Sequence, residues 1–417
     1  MRKGVSLLEK MFIISPPVYR FMRDFNIRDF LAMQGFELNE ELANYEISED
    51  EEHRYGKLMN ELVKNGELTK DIVLPFLVDQ SRYSVLRNIF LHFISYEDEI
   101  LDPNNILKNL KKLSHIDEAF GDLVNCKYLG PINTNSYEKE LIYLNTEETG
   151  GVIEKLHIVL RKPLKLYDGT ETVDNYAFEV DFRKGMLIAK VKNWEQESQQ
   201  NLTKNIEYFT EEIKKSLNLR IINTDHDIQK VLKSMLNDLT SKVLNKVFME
   251  VNEKLDGLVE KEVDKWSKKL LGEPLPLPAK ELIDIKNNIL NNFYKLYRLS
   301  IEDGQAIEDL HEKYGVEAYP RIVRFMDETI GEGKASSSDP TESLLDTSLY
   351  YDIRTRLESS KSLRHVTVYW LTCHQKSHFG TTLHNDRRNE FKINIKPHTY
   401  TKEMLEYVLR KIERYIE

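Results

Sequence analysis

The chain has 417 residues, 41% of them apolar, and its 59 Lys and Arg against 69 Asp and Glu give a formal net charge of −10. This length predicts two or three domains, each able to bury a core without metal or disulfide links. The composition excludes a disordered or low-complexity chain, and few glycines (17) and prolines (12) disfavour collagen-like architectures and a large dinucleotide-binding enzyme.

The sequence indicates a cytoplasmic protein without a membrane segment. The two cysteines, Cys126 and Cys373, lie far apart and form no disulfide framework. The apolar run near the N-terminus is interrupted by Glu9 and Lys10, which is unlike a signal peptide. No apolar stretch reaches the roughly 20 residues that a membrane-spanning helix needs.

Residues 1–125 are predicted to form a helical domain. Apolar residues fall at helix-compatible spacings from Leu58 to Leu77 and again from Val85 to Phe93. Residues 37–52, here called the acidic strip, contain eight acidic residues and no Lys or Arg. Such a run is typical of a solvated surface, and an acidic docking strip for a basic partner is the alternative.

Residues 126–196 are predicted to form a small β-rich domain. A strand is expected around residues 156–160, and residues 176–182 and 186–192 alternate between apolar and polar side chains. A short turn containing Gly185 joins the last two segments, which is typical of a β-hairpin.

Residues 197–330 are predicted to form a second helical domain with one long helix. It begins at Asp225, and an apolar stripe from Leu232 to Leu258 has a mean spacing of about 3.7 residues, which disfavours a heptad coiled coil. Gly257 is a candidate interruption. The stripe packs either on its own domain or on a partner, including a second copy of the chain. Residues 331–345, rich in Gly and Ser, are predicted to be a flexible linker.

Residues 346–417 are predicted to form a basic α/β domain. Val366, Val368 and Trp370 alternate with polar residues in one strand, and a second strand places Phe391, Ile393 and Ile395 opposite Lys392, Asn394 and Lys396. A helix is expected to begin at Thr401, with an apolar stripe at Leu405, Val408, Ile412 and Tyr415.

Positive charge is concentrated in this last domain. Residues 353–402 carry ten Lys and Arg against three Asp and Glu, a local charge of +7, so the remaining chain carries −17. A basic sheet face suits a phosphate backbone, and Tyr369, Phe379 and Tyr400 are candidates for stacking on bases. Docking of this face on the acidic strip is the alternative. The predicted backbone-binding residues are Arg354, Arg356, Arg364, Lys376, Arg387, Arg388, Lys392 and Lys396.

Catalytic patterns are weak. Cys373, His374, His378 and His384 are close in sequence, but their spacing matches no standard zinc module, so no metal and no cofactor are predicted.

The hairpin resembles a metal-dependent nuclease pattern only in part. Glu179 and Asp181 precede Lys190, but Ile188 stands where the second acid is expected. No phosphate-binding loop of the Gly-x-x-x-x-Gly-Lys type occurs.

The predicted fold class is therefore a multi-domain α+β chain, predominantly helical, with a small antiparallel β-domain and a C-terminal α/β unit. The predicted function is a non-enzymatic, nucleic-acid-binding component of a larger bacterial assembly, such as a defence or mobile-element system. One alternative is a protein-binding adaptor or regulatory subunit. The other is a metal-dependent hydrolase or nuclease that uses the His-rich loop around His374, His378 and His384.

Overall fold

The computed structural model describes residues 21–110, 140–192, 198, 201–223, 225–255, 257–271, 288–297, 315–327, 331–337, 343–360, 362–371, 379–387, 390–397 and 400–416. The chain divides into two compact units. Unit 1 comprises Met1–Asn223 with His398–Lys402, and unit 2 comprises Thr224–Pro397 with Glu403–Glu417.

Both units combine helices with antiparallel strands. The helices are α1 (Asp24–Met33), α2 (Leu38–Asn44), α3 (Arg54–Lys64), α4 (Lys70–Arg82), α5 (Pro103–Leu110), α6 (Leu202–Ser216), α7 (Asp225–Leu255), α8 (Leu258–Leu271), α9 (residues 288–297), α10 (Ser348–Ser359) and α11 (Lys402–Glu413), with 3₁₀ turns at Asp98–Leu101 and Leu344–Asp346. The strands are β1 (Asn88–Ser95), β2 (Glu140–Thr149), β3 (Val152–Lys165), β4 (Glu171–Asp181), β5 (Met186–Val191), β6 (Arg220–Ile221), β7 (Ala318–Asp327), β8 (Gly331–Ser336), β9 (Ser362–Trp370), β10 (Phe379–Arg387) and β11 (Glu390–Ile395).

The sheet of unit 1 is covered by helices on both faces. Its strands lie in the order β2-β3-β4-β5-β1, and the short β6 pairs with β1. Because side chains alternate between faces along β4, Phe178 packs with Phe209 of α6. Its neighbour Ala177 packs on the other face, with α1–α4 residues such as Leu58. Unit 1 therefore has helix, sheet and helix layers.

The sheet of unit 2 has the strand order β11-β10-β9-β7-β8. One face is apolar and packs on α7 and α11, where the buried Trp370 ring lies edge-on to Tyr407 at 5.5 Å between centroids. The predicted alternation is confirmed, because Val366, Val368 and Trp370 are buried, as are Phe391, Ile393 and Ile395 of β11.

The long helix agrees with the sequence pattern. It is interrupted at Gly257, whose φ of +68° is a left-handed conformation that favours glycine. Leu232, Leu236 and Val243 are buried in unit 2, whereas Leu258, beyond the break, is exposed. The first part of the stripe therefore packs on its own unit. Among the described residues, no helix is long and apolar enough to cross a membrane.

The predicted fold class is wrong, because it made the chain predominantly helical with only a small β-domain. The described residues form eleven strands in antiparallel sheet, and each unit is built on such a sheet, so the β-structure is not a small domain in a helical chain. The error arose where apolar runs are short. Ile89, Phe90 and Phe93 have spacings that fit a helix, but they belong to β1, and such runs do not separate helix from strand by spacing alone.

A second difference concerns the expected linker. Residues 331–336 form β8, which pairs with β7 in register from Gly331 to Ser336. Gly333 is packed directly against the ring of the buried Phe325, so this glycine serves close packing.

Candidate nucleic-acid interface

A row of basic and imidazole side chains crosses the unit 2 sheet on the face opposite α7 and α11. Consecutive members of the row are direct partners in neighbouring strands. Because strands lie about 4.8 Å apart, five strands place the row over about 19 Å. The row contains Lys392 of β11, His384 of β10, His365 of β9, Arg324 of β7 and Lys334 of β8.

We call this surface the basic face and include in it Arg321 and Lys396. Arg324 and Lys334 are exposed, and Lys392 and Lys396 are half-buried. Glu332, exposed near the start of β8, adds one carboxylate. The basic face therefore carries five permanent cations from Lys and Arg.

Arg324 and Lys334 are directly opposite each other in the β7–β8 pair. Like charges at such positions destabilise a sheet. The pair costs stability in the isolated chain, and an anion placed between the two side chains would offset that cost.

Four hydrogen-bonded polar side chains form the floor of the basic face. His365 and His384 approach through their Nδ1 atoms at 3.0 Å. His365 Nε2 lies 3.1 Å from Thr367 Oγ1, which lies 3.2 Å from Thr382 Oγ1. Polar groups joined by hydrogen bonds in this way fix one another's side chains on this surface.

The charge of this surface also affects His365. Burial, together with the neighbouring His384 and Arg324, lowers the pKa of His365 from 6.5 to about 3. His365 is therefore neutral at pH 7 and adds no charge to the five Lys and Arg side chains of the basic face.

Tyr369 lies at the other end of β9 from this row. The Arg321 guanidinium carbon is 5.6 Å from the ring centroid of Tyr369, and Lys396 Nζ is 5.9 Å from it. Burial lowers the pKa of Lys396, and Arg321 adds to that effect.

The structure brings two of the predicted backbone-binding residues, Lys392 and Lys396, onto the basic face. Arg364 is exposed where the register of β7 and β9 shifts. Lys376 and Arg388 lie outside the described residues, and Arg387 ends β10 with a side chain that is not described.

The other two predicted residues lie on α10. Arg354 is 2.7 Å from Glu358 and stacks over the ring of Phe248 in α7 at 4.1 Å. Arg354 therefore links two helices, and Arg356 is exposed on the same helix.

Sequence reasoning missed Arg321, Arg324 and Lys334, because residues up to 330 were assigned to a helical domain and the next fifteen to a linker. A signal was present in β7, where Ile322, Val323 and Phe325 give a β-prone run around Arg324. The Pro320 and Gly333 that flank this region weaken a strand prediction made from composition.

Unit 1 contains a second polar cluster, whose central side chain, Lys190, is buried. Lys190 is 1% exposed, with its Nζ 3.7 Å from Glu179 Oε2 and 4.2 Å from the ring centroid of Tyr83. Burial lowers the pKa of Lys190 from 10.5 to about 8, although Glu179 opposes the shift. Burial likewise disfavours the charge on Glu179, but Lys190 and His157 together hold its pKa below the ordinary value.

His157 is fixed in one tautomer beside this pair. The Arg82 guanidinium, which can only donate, lies 2.8 Å from His157 Nδ1, so Nε2 carries the proton and donates to Glu147 at 2.8 Å. The hairpin that resembled part of a nuclease pattern thus forms a buried ionic link between α4 and the sheet. The position where the nuclease pattern has its second acid is occupied by Ile188, which is buried.

Comparison with protein-family models and with curated proteins finds no match. Within the described ranges, no three His, Cys, Asp or Glu side chains converge as metal ligands. Cys373, His374 and His378 lie outside those ranges, so the metal-dependent alternative stays a prediction.

Proposed function

We propose that this protein is a nucleic-acid-binding component that holds the phosphate backbone on the basic face of unit 2. The observation that supports the proposal is the row from Lys392 to Lys334, in which five paired positions in five neighbouring strands contain no acidic residue. Backbone phosphates are recognised through Lys and Arg charge, independently of sequence.

The basic side chains are held at fixed spacings by the sheet, and this favours a ligand with regularly spaced negative charges. Arg324, Lys334 and Lys392 project from strands, so their spacing is set by the ladder and not by a loop. A polymer of evenly spaced phosphates can contact several such positions at once. The proposal assigns the protein no chemical step, and its place in a larger bacterial assembly stays a prediction.

The test compares two triple variants with the same change in charge. One neutralises the basic face (Arg324→Gln, Lys334→Gln, Lys392→Gln), and the other removes three exposed lysines of α8 (Lys261→Gln, Lys268→Gln, Lys269→Gln). Fluorescence anisotropy with a labelled oligonucleotide at low salt should show affinity about tenfold or more lower for the first variant only. Equal affinity of both variants and the wild type would refute the proposal.

A second candidate function is a protein-binding adaptor. Met249, Leu258 and Trp266, on α7 and α8, are large apolar side chains that are exposed in unit 2. Exposed apolar side chains grouped on consecutive helices favour a protein contact. Light scattering tests one form of such contact, self-association through these side chains. A mass above one chain that falls to one chain in Trp266→Asp supports it, and a single-chain mass at all concentrations counts against self-association.

A further inference from the structure

We infer that the basic face takes single-stranded nucleic acid and that one base stacks on the ring of Tyr369. This inference rests on the proposed function and adds the class of nucleic acid to it. It starts from three aromatic residues of the basic C-terminal segment, of which the structure leaves one accessible. Phe379 and Tyr400 are buried at 2% and 3% exposure, whereas Tyr369 is half-buried.

The position of the Tyr369 ring depends on the glycine beside it. Tyr369 pairs with Gly380 of β10, and a methyl group at Gly380 would come within 3.0 Å of Tyr369 Cε2 and of Lys396 Cδ. The ring and the lysine stem thus lie over the bare backbone of Gly380. On the other side, Tyr319 of β7 stacks with Tyr369 at 5.7 Å between centroids and 22° between planes. Two neighbours therefore hold the ring in one orientation.

Two cations lie over this ring, Arg321 of β7 and Lys396, which directly follows β11. Arg321 and Lys396 both lie within 6 Å of its centroid. A nucleotide whose base stacks on Tyr369 would bring its phosphate within reach of these side chains. Cation and aromatic groups side by side are the elements of sequence-independent single-strand binding.

The distance to the cation row fits a strand that continues across the sheet. Tyr369 lies four residue steps from His365 along β9, which is about 13 Å. A nucleic-acid strand whose phosphate is held at Lys396 can therefore continue across the basic face to Lys392 and Arg324. Its bases then lie over Thr367 and Thr382 on the same face.

A duplex does not satisfy this geometry. Its bases are paired and stacked on one another, so a ring held on a sheet between Gly380 and Tyr319 cannot reach a base face without opening the helix. An unpaired strand presents every base to such a platform.

The experiment measures binding of labelled probes to the full chain at one salt concentration. The probes are a single strand of mixed sequence, made as DNA and as RNA, its duplex, and a strand of equal length without bases. Wild type should bind at least one of the two single strands about five- to a hundred-fold more tightly than the strand without bases. The duplex should bind no better than the strand without bases.

Two substitutions at one position separate stacking from charge. Tyr369→Ala should lower affinity for the preferred single strand to the level of the strand without bases and leave the latter unchanged. Tyr369→Phe, which keeps the ring, should bind as wild type does, and it controls for folding.

The outcomes distinguish the two claims. Equal binding of all probes by wild type, or an unaffected Tyr369→Ala, would overturn the stacking inference while backbone binding remained. Absence of binding to every probe would overturn the proposed function itself, and the inference with it.

Discussion

Replacing Lys190 with methionine should change how the stability of unit 1 depends on pH. Burial lowers the pKa of Lys190 from 10.5 to about 8, so the folded chain releases this proton at a lower pH than the unfolded chain does. Between these values the unfolded state binds more protons, and the unfolding free energy of the wild type rises with pH. The whole shift corresponds to roughly 3 kcal/mol, with a slope approaching about 1.4 kcal/mol per pH unit.

The quantity to measure is the difference in unfolding free energy between wild type and Lys190→Met. Methionine does not titrate, so the difference should be flat near pH 7 and should rise in favour of the wild type above about pH 8. Tyr400, whose pKa burial raises well above 10, titrates in both proteins and cancels from the difference.

The assay must follow unit 1 by itself, because Trp266 and Trp370 lie in unit 2 and intrinsic fluorescence does not report on unit 1 alone. Urea unfolding at a series of pH values, read by pulsed hydrogen exchange of peptides from β4 and β5, gives that readout. Parallel curves for the two proteins over the whole range would refute the account of a protonated lysine held in a buried site.

Three further substitutions test unit 2. Gly380→Ala should shift the Tyr369 ring by a few tenths of an ångström, because the added methyl meets it at 3.0 Å, and should weaken the preference for strands with bases while binding of the strand without bases persists. Gly333→Ala should destabilise unit 2 by about 1–3 kcal/mol through overlap with Phe325, whereas Ser336→Ala on the same strand should be near neutral in a urea titration. Trp370→Phe removes the 2.9 Å hydrogen bond from Nε1 to Thr381 Oγ1 and should cost about 1–3 kcal/mol by calorimetry. The double variant Trp370→Phe/Thr381→Val should lose less stability than the two single changes summed, and strict additivity would contradict the hydrogen bond.

Local patterns predicted several elements well. The hairpin of β4 and β5 followed from alternation and Gly185, and the break in the long helix followed from Gly257. Most of the C-terminal stripe is likewise confirmed, because Leu405, Val408 and Ile412 are buried in α11. In these places one short segment contains the whole signal.

The basic face could be predicted only in part. Alternation along β11 predicted that Lys392 and Lys396 share a polar face. Which residues of other strands lie beside them on that face depends on strand pairing. Lys334 and Lys392 are 58 residues apart in the chain, and only the register of the intervening strands sets them in one row. Composition misled where glycine served packing, as at Gly333.

The salt dependence of binding tests the central claim most directly. If the five cations of the basic face each contact a phosphate of a single strand, a plot of log affinity against log salt concentration should have a slope of about −3.5. Neutralising Arg324, Lys334 and Lys392 leaves two cations and should reduce the slope to about −1.4, while the α8 control keeps the wild-type slope. A wild-type slope near zero, or the same slope in all three proteins, would contradict phosphate binding by this face.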